Sequence, residues 1–168
     1  MPDVLAIVSK AVFESEADGL DVGDVWETAA YKSSHAALAP LAEGGRLFLV
    51  TVRPESVLWL VAILDQPKSS RGAWRASANT TPITDLTATI SQITFANGKG
   101  LVRNEKLGMS LQTPRALDDA TGALLAGDDA VAAKPATKAK AATKAAAKPA
   151  ASKASKVATK RAAKSSTK

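Results

Sequence analysis

The 168 residues carry 22 Lys and Arg against 16 Asp and Glu, with one His and no Cys, for a formal net charge of +6. The lack of Cys excludes disulfides, thiolate metal sites and thiol nucleophiles, and it fits a reducing compartment. No window reaches the ~18 to 20 consecutive apolar residues of a membrane span, and MPDVLAIVSK, with Asp3 and five apolar residues in a row, does not read as a signal peptide.

In chain order, Val4 to Val8 is a short apolar run expected to enter a sheet, and Ala11 to Ala17 is expected to form a turn of helix before Gly19. Glu14, Glu16, Asp18, Asp21, Asp24 and Glu27 follow without a basic residue among them. Such a run ordinarily makes a solvated edge. The sharper readings are a metal site or a dock for a basic segment, but the spacing lacks the Gly and terminal Glu of a calcium loop. Ser34 is expected to cap a short helix over HAALAPLAEGG, kept short or bent by Pro40 and ended by Gly44 and Gly45. His35, the single His, reads as a surface or capping residue, since no nucleophile and orienting acid stand beside it in the sequence.

Leu47 to Val52 and Val57 to Leu64 are two apolar runs around Arg53, Pro54, Glu55 and Ser56. They predict a β-hairpin whose strands are central, because Phe48, Val50 and Val52 alternate with Leu47 and Leu49 and both faces are apolar. The following PKSSRGAWRASANTT reads as a loop into a short strand, with Lys68, Arg71 and Arg75 around Trp74. Cations beside an exposed aromatic can stack on bases, which makes Arg71, Trp74 and Arg75 the candidate contact in this half of the chain. The plainer alternative places Trp74 at the edge of the core, with its cations solvated.

Ile83, Leu86, Ile90 and Ile93 recur at helical spacing and predict a short helix opened by Thr84, then a strand at Ile93 to Phe95. Asn97-Gly98 and Gly100 mark a turn; Lys99 lies between glycines, but the full phosphate-loop pattern is absent. LGMSLQ predicts a last strand, and Thr113-Pro114 a helix start with Leu117, Leu124 and Leu125 buried before Gly127.

Residues 131–168 differ in kind. They contain Lys134, Lys138, Lys140, Lys144, Lys148, Lys153, Lys156, Lys160, Arg161, Lys164 and Lys168, with no acid and no aromatic. The head, residues 1–130, therefore keeps 11 basic residues against all 16 acids, near −5, beside a tail near +11. With Val131 and Val157 its only apolar residues larger than Ala, the tail cannot offset an ordering entropy of roughly 1 to 2 kcal/mol per residue and is expected to be disordered when free. Lys140, Lys144 and Lys148 fall four apart, as do Lys156, Lys160, Lys164 and Lys168. Phosphates would remove the repulsion along these stripes, so partial helix on DNA is expected, kinked at Pro149.

The stretch AKPATKAKAATKAAAKPAASKASK resembles the Lys/Ala/Pro-rich C-terminal domain of linker histones and the tails of bacterial histone-like proteins. The resemblance covers about 38 residues and implies DNA binding without sequence preference through the Lys positions above and Arg161. The winged-helix head of linker histones is not apparent in residues 1–130. VLAIVSKAVFE, LFLVTVRPESVLWLVAIL, PITDL and LGMSLQTPRAL resemble an uncharacterised N-terminal module of bacterial proteins, faintly like PUA-type barrels that hold RNA or modified bases.

The sequence thus predicts an α+β fold: a compact, strand-rich, barrel-like domain with short helices, followed by a disordered basic tail. The expected function is nonspecific binding of DNA or another polyanion by a cytoplasmic, nucleoid-associated protein whose head binds or positions a protein partner. The alternative is a ligand, modified-base or RNA reader with the tail as accessory. With no nucleophile-elbow, zinc or nucleotide motif, no enzyme, cofactor, metal site or membrane partner is expected.

Overall fold

A computed structural model describes residues 2–127, which lie within the first of the chain's two units, Met1–Ala133 and Lys134–Lys168. The expected tail, 131–168, and all eleven of its cations lie outside the described residues.

The described part is α+β. Its centre is the expected hairpin, β3 (Arg46–Arg53) and β4 (Val57–Asp65). Strand β1 (Val4–Ile7) lies parallel to β3, and β8 (Arg115–Ala116) and β7 (Thr84–Asp85) flank the sheet in the order β7-β4-β3-β1-β8. A second sheet, β2 (Ala30–Lys32), β6 (Ala73–Arg75) and β5 (Lys68–Ser70), is ordered β2-β6-β5. The sheets have free edges, so the expected barrel is not formed.

Period-two alternation sorts β3 between two cores. Leu47 and Leu49 join Val4, Ala6, Phe13, Trp26, Leu38, Leu41 and Trp74 on one face, whereas Phe48 and Val50 join Leu5, Ile93, Phe95, Leu107 and Leu117 on the other. In β4 the alternation breaks: Val50 pairs with Leu60 but Leu49 with Ala62, which leaves Val61 as the extra residue of a bulge. Leu58 and Leu60 therefore share a face with Ile63 rather than with Ala62 and Leu64. Without that bulge, half of β4 would point to the wrong core.

Helix α1 (Lys10–Glu16) forms where expected and is capped by Ser9, whose hydroxyl accepts from Val12 N at 3.3 Å. Other local expectations are corrected. The helix after Ser34 is a 3-10 helix, Ala36–Glu43, capped by His35, whose Nδ1 accepts from Ala37 N at 3.1 Å. Pro40 has no N–H to sustain an α-helical ladder there. The predicted helix from Thr84 is instead β7 and a 3-10 turn, Ile90–Gln92. Ile83 faces the first core while Leu86, Ile90 and Ile93 face the second, so the chain passes round the edge of β4 and the helical spacing is fortuitous. Ile93 to Phe95 makes only single bridges, Thr94 to Gly100 and Phe95 to Leu117, rather than a strand.

LGMSLQ holds the helical turn α2 (Leu107–Ser110), because Leu107 and Leu111, four apart, are both buried. Thr113-Pro114 opens β8, and the helix α3 (Asp119–Ala126) begins later, at the cap Asp118. It ends as expected at Gly127, with φ of 73°. Among the described residues, no helix is long and apolar enough to cross a membrane.

Candidate anion-contact face

The segment after β4 turns back on itself as a tight hairpin. Arg71 and Gly72 have φ of 49° and 77°, the doubly positive pattern of a two-residue type I′ turn. Gly72 adopts it freely, but Arg71 stands where Asn or Asp is the ordinary choice, so its backbone is strained.

Strand alternation then decides what each neighbour faces. Trp74 pairs with Tyr31 and Ser69 and is turned into the first core, 6% exposed. Trp74 is therefore corrected from a candidate stacking platform to a core residue, as the plainer alternative held. Arg75, one residue on, points the other way and is exposed, directly across from Lys68. Lys32 pairs with Ala73 and so sits diagonal to Arg75 on the same face. Diagonal positions on adjacent strands are ~7 to 8 Å apart at Cα. Arg71 caps the strip, and an open concavity of about 520 Å³ lies among Lys32, Ser70, Arg71, Gly72, Ala73 and Arg75.

The candidate pair Arg71 and Arg75 is thus joined by Lys32 and Lys68. None of the four makes an ion pair among the described residues, although acids outnumber bases in the head. Lys68 was visible beside Trp74 in the sequence. Lys32 is the addition made by the fold, and its sequence signal is the alternation in Ala30-Tyr31-Lys32, with the aromatic inward and the cation outward.

The acidic run behaves as a solvated edge that partly serves its own fold. Glu14 binds Arg53 at 3.2 Å and Lys10 at 3.6 Å, and Arg53 stacks on Trp59 at 4.9 Å. Asp21 and Asp24 organise a turn, in which Asp24 Oδ2 accepts from Asp21 N at 2.9 Å. Among the described residues, no three His, Cys, Asp or Glu side chains are grouped to hold a metal ion. His35 is spent on its cap. Around Lys99 the chain makes an Asx turn, in which Asn97 Oδ1 accepts from Lys99 N at 3.0 Å.

Comparison of the chain with protein-family models, curated proteins and solved structures finds no match, so what this face binds has to follow from its own residues.

Proposed function

We propose that this chain binds DNA, or another polyanion, without sequence preference. The cations of residues 131–168 supply most of the attraction, and the Lys32, Lys68, Arg71 and Arg75 strip supplies a second contact. The observation that carries the reading is the acid-free set of eleven cations beside a head of opposite charge. Mixed signs or acids serve solubility better than such an array, and flexible point charges suit phosphates.

The strip adds a physical reason for the head to take part. Lys68 and Arg75 are directly opposed like charges, an arrangement that destabilises a sheet unless an anion is shared between them. Inward-facing Trp74 leaves no aromatic on this face to read bases, so the contact is to phosphate and carries no sequence information. The head's remaining surface is left for a protein partner, and the whole suits a nucleoid-associated protein.

Retention on DNA-cellulose at moderate salt tests the reading. The full chain is retained and residues 1–130 are not, while K68Q/R71Q/R75Q in the full chain elutes at lower salt. Equal retention of the full chain and residues 1–130 would sink the tail's role.

A further inference from the structure

The edge strand β2 borders a second cleft, of about 570 Å³, whose opposite wall is the end of β1 and the first turn of α1. Among the described residues β8 pairs with Val4 and Leu5 alone, so the second half of β1 has no strand neighbour there on that side. The cleft sits at the carboxyl end of β1, where Ile7 and Val8 line it, with Leu49 from the middle of β3 beneath. Its size falls in the range of small-molecule sites.

The lining is apolar at its floor, with Val8, Trp26 and Leu49, and Val12 at its mouth is left 43% exposed. Tyr31 closes one side, its hydroxyl donating to Ile7 O at 3.1 Å. The charged members are Lys32, Arg75 and Glu16, none of them ion-paired among the described residues. Two cations and one acid leave the lining at +1.

We infer that this cleft binds a small amphipathic monoanion, its apolar or aromatic body against Val8, Val12 and Trp26 and its carboxylate on Lys32 and Arg75. A phosphate monoester, near −2, would overfill a lining of this charge and would face Glu16. The site goes beyond polyanion binding and does not depend on it: Lys68 and Arg71 belong to the strip alone, and Val12 and Trp26 to the cleft alone.

The test titrates the full chain at physiological salt with naphthaleneacetate and with its neutral amide, followed by amide NMR and calorimetry. Naphthaleneacetate gives saturable shifts at Val8, Val12 and Ala30 to Lys32, and the neutral amide binds at least about tenfold more weakly. Val12→Trp fills the mouth from an exposed position and abolishes binding, K32Q/R75Q weakens it about tenfold, and K68Q/R71Q leaves it unchanged. Unaltered thermal unfolding of V12W and an unaltered salt dependence of its DNA binding separate this site from the strip. Naphthaleneacetate binding in a chain that does not bind DNA would refute the proposed function and uphold the cleft. Equal binding of acid and amide, undiminished binding by V12W, or no saturation overturns the inference.

Discussion

The carboxylate of Asp3 clasps Arg46 three times: Oδ1 accepts from the backbone N at 3.0 Å and from Nε at 3.3 Å, and Oδ2 accepts from Nη2 at 2.8 Å. Asp3 is 6% exposed, and the contact locks the entry of β1 to the entry of β3. Gly122 of α3 lies against the same carboxylate, so that a Cβ there would stand 2.1 Å from Oδ2. Removing Asp3 takes from Arg46 the carboxylate that holds both its backbone N–H and its guanidinium at the strand entry, and breaking such a pair from one side is costly. Asp3→Ala is expected to lower stability by about 3 kcal/mol in urea unfolding, the Arg46 side chain's partial exposure keeping the loss at the low end. Gly122→Ala should cost a similar amount by pushing Asp3 away. In the D3A background it should cost far less, and additive losses would show that the two residues do not act through one carboxylate.

A buried Asn anchors the wall beside Trp26. Asn79, 2% exposed, spends its whole hydrogen-bonding capacity: Oδ1 accepts from Ile63 N and Thr81 N, and Nδ2 donates to Trp26 O and Thr81 O. Asn79→Asp keeps the shape but replaces two donors by a charge facing two carbonyls. A loss of about 3 kcal/mol is expected at neutral pH, shrinking in acid as the new carboxyl takes up a proton. A loss independent of pH would show that shape, not charge, is at fault.

Thr51 presents the opposite case. Its hydroxyl is fully buried in β3 and has no hydrogen-bond partner among the described residues. Thr51→Val replaces the unsatisfied group by a methyl of nearly the same shape, so the urea midpoint should rise, equivalent to about 1 kcal/mol. A destabilised variant would mean that the hydroxyl is satisfied in solution.

Asp118 sets the acid limit of α3. Hydrogen bonds from the Thr121 hydroxyl, from the Thr94 hydroxyl and from Thr121 N hold its carboxyl below the ordinary value of 3.8, against a smaller opposing effect of burial. Because the folded state prefers the charged form, this contribution is present above pH 3.8 and is lost as pH falls through the lowered folded value. Asp118→Ala should cost about 1 kcal/mol at neutral pH, through the lost cap, and should flatten the acid limb of the stability profile. An unchanged acid limb would place the acid-sensitive group elsewhere.

The central hairpin and the start of the fold were legible because their signals are local: uninterrupted β-branched and aromatic runs, a turn Pro, and a short helical stretch that ends before Gly19. The segment from Ile83 to Pro114 was not, because its residues obey a tertiary demand. Ile83 and Leu86 straddle the edge of β4, and Leu58 N and O bond there to Thr87 Oγ1 and Leu86 N, contacts that no periodicity in the sequence announces. The same holds for the candidate face. Arg71 and Arg75 could be read from sequence, but that Trp74 turns inward and that Lys32 joins them depends on the pairing of β2 with β6, 43 residues apart in the register of Tyr31 and Trp74.

Arg71 offers a test in which two observables move in opposite directions. Its positive φ costs stability that Asn would recover, since Asn tolerates the left-handed region at the first position of a type I′ turn. Arg71→Asn is therefore expected to raise stability by about 1 kcal/mol while weakening DNA binding. Stability and DNA affinity rising together would show that the cation at the tip serves no anion.

The salt dependence of binding tests the mechanism as a whole. Counterion release makes log affinity fall with log salt at ~0.9 per phosphate neutralised on duplex DNA, so eleven tail cations set a ceiling near a slope of −10. The head's excess of acids repels the duplex, so fewer than eleven cations are expected to meet phosphates, for a slope of about −5 to −8. Replacing Lys156, Lys160, Lys164 and Lys168 by Gln should reduce it by up to ~3.6 and weaken all sequences alike. K68Q/R71Q should remove up to ~1.8 if the strip meets the backbone as proposed, because each cation counts once wherever it sits. A parent slope near −2, or a tail variant that keeps its salt dependence while losing preference for one sequence, would transfer recognition from the tail to the head. A strip variant with an unchanged slope would leave the tail as the sole contact.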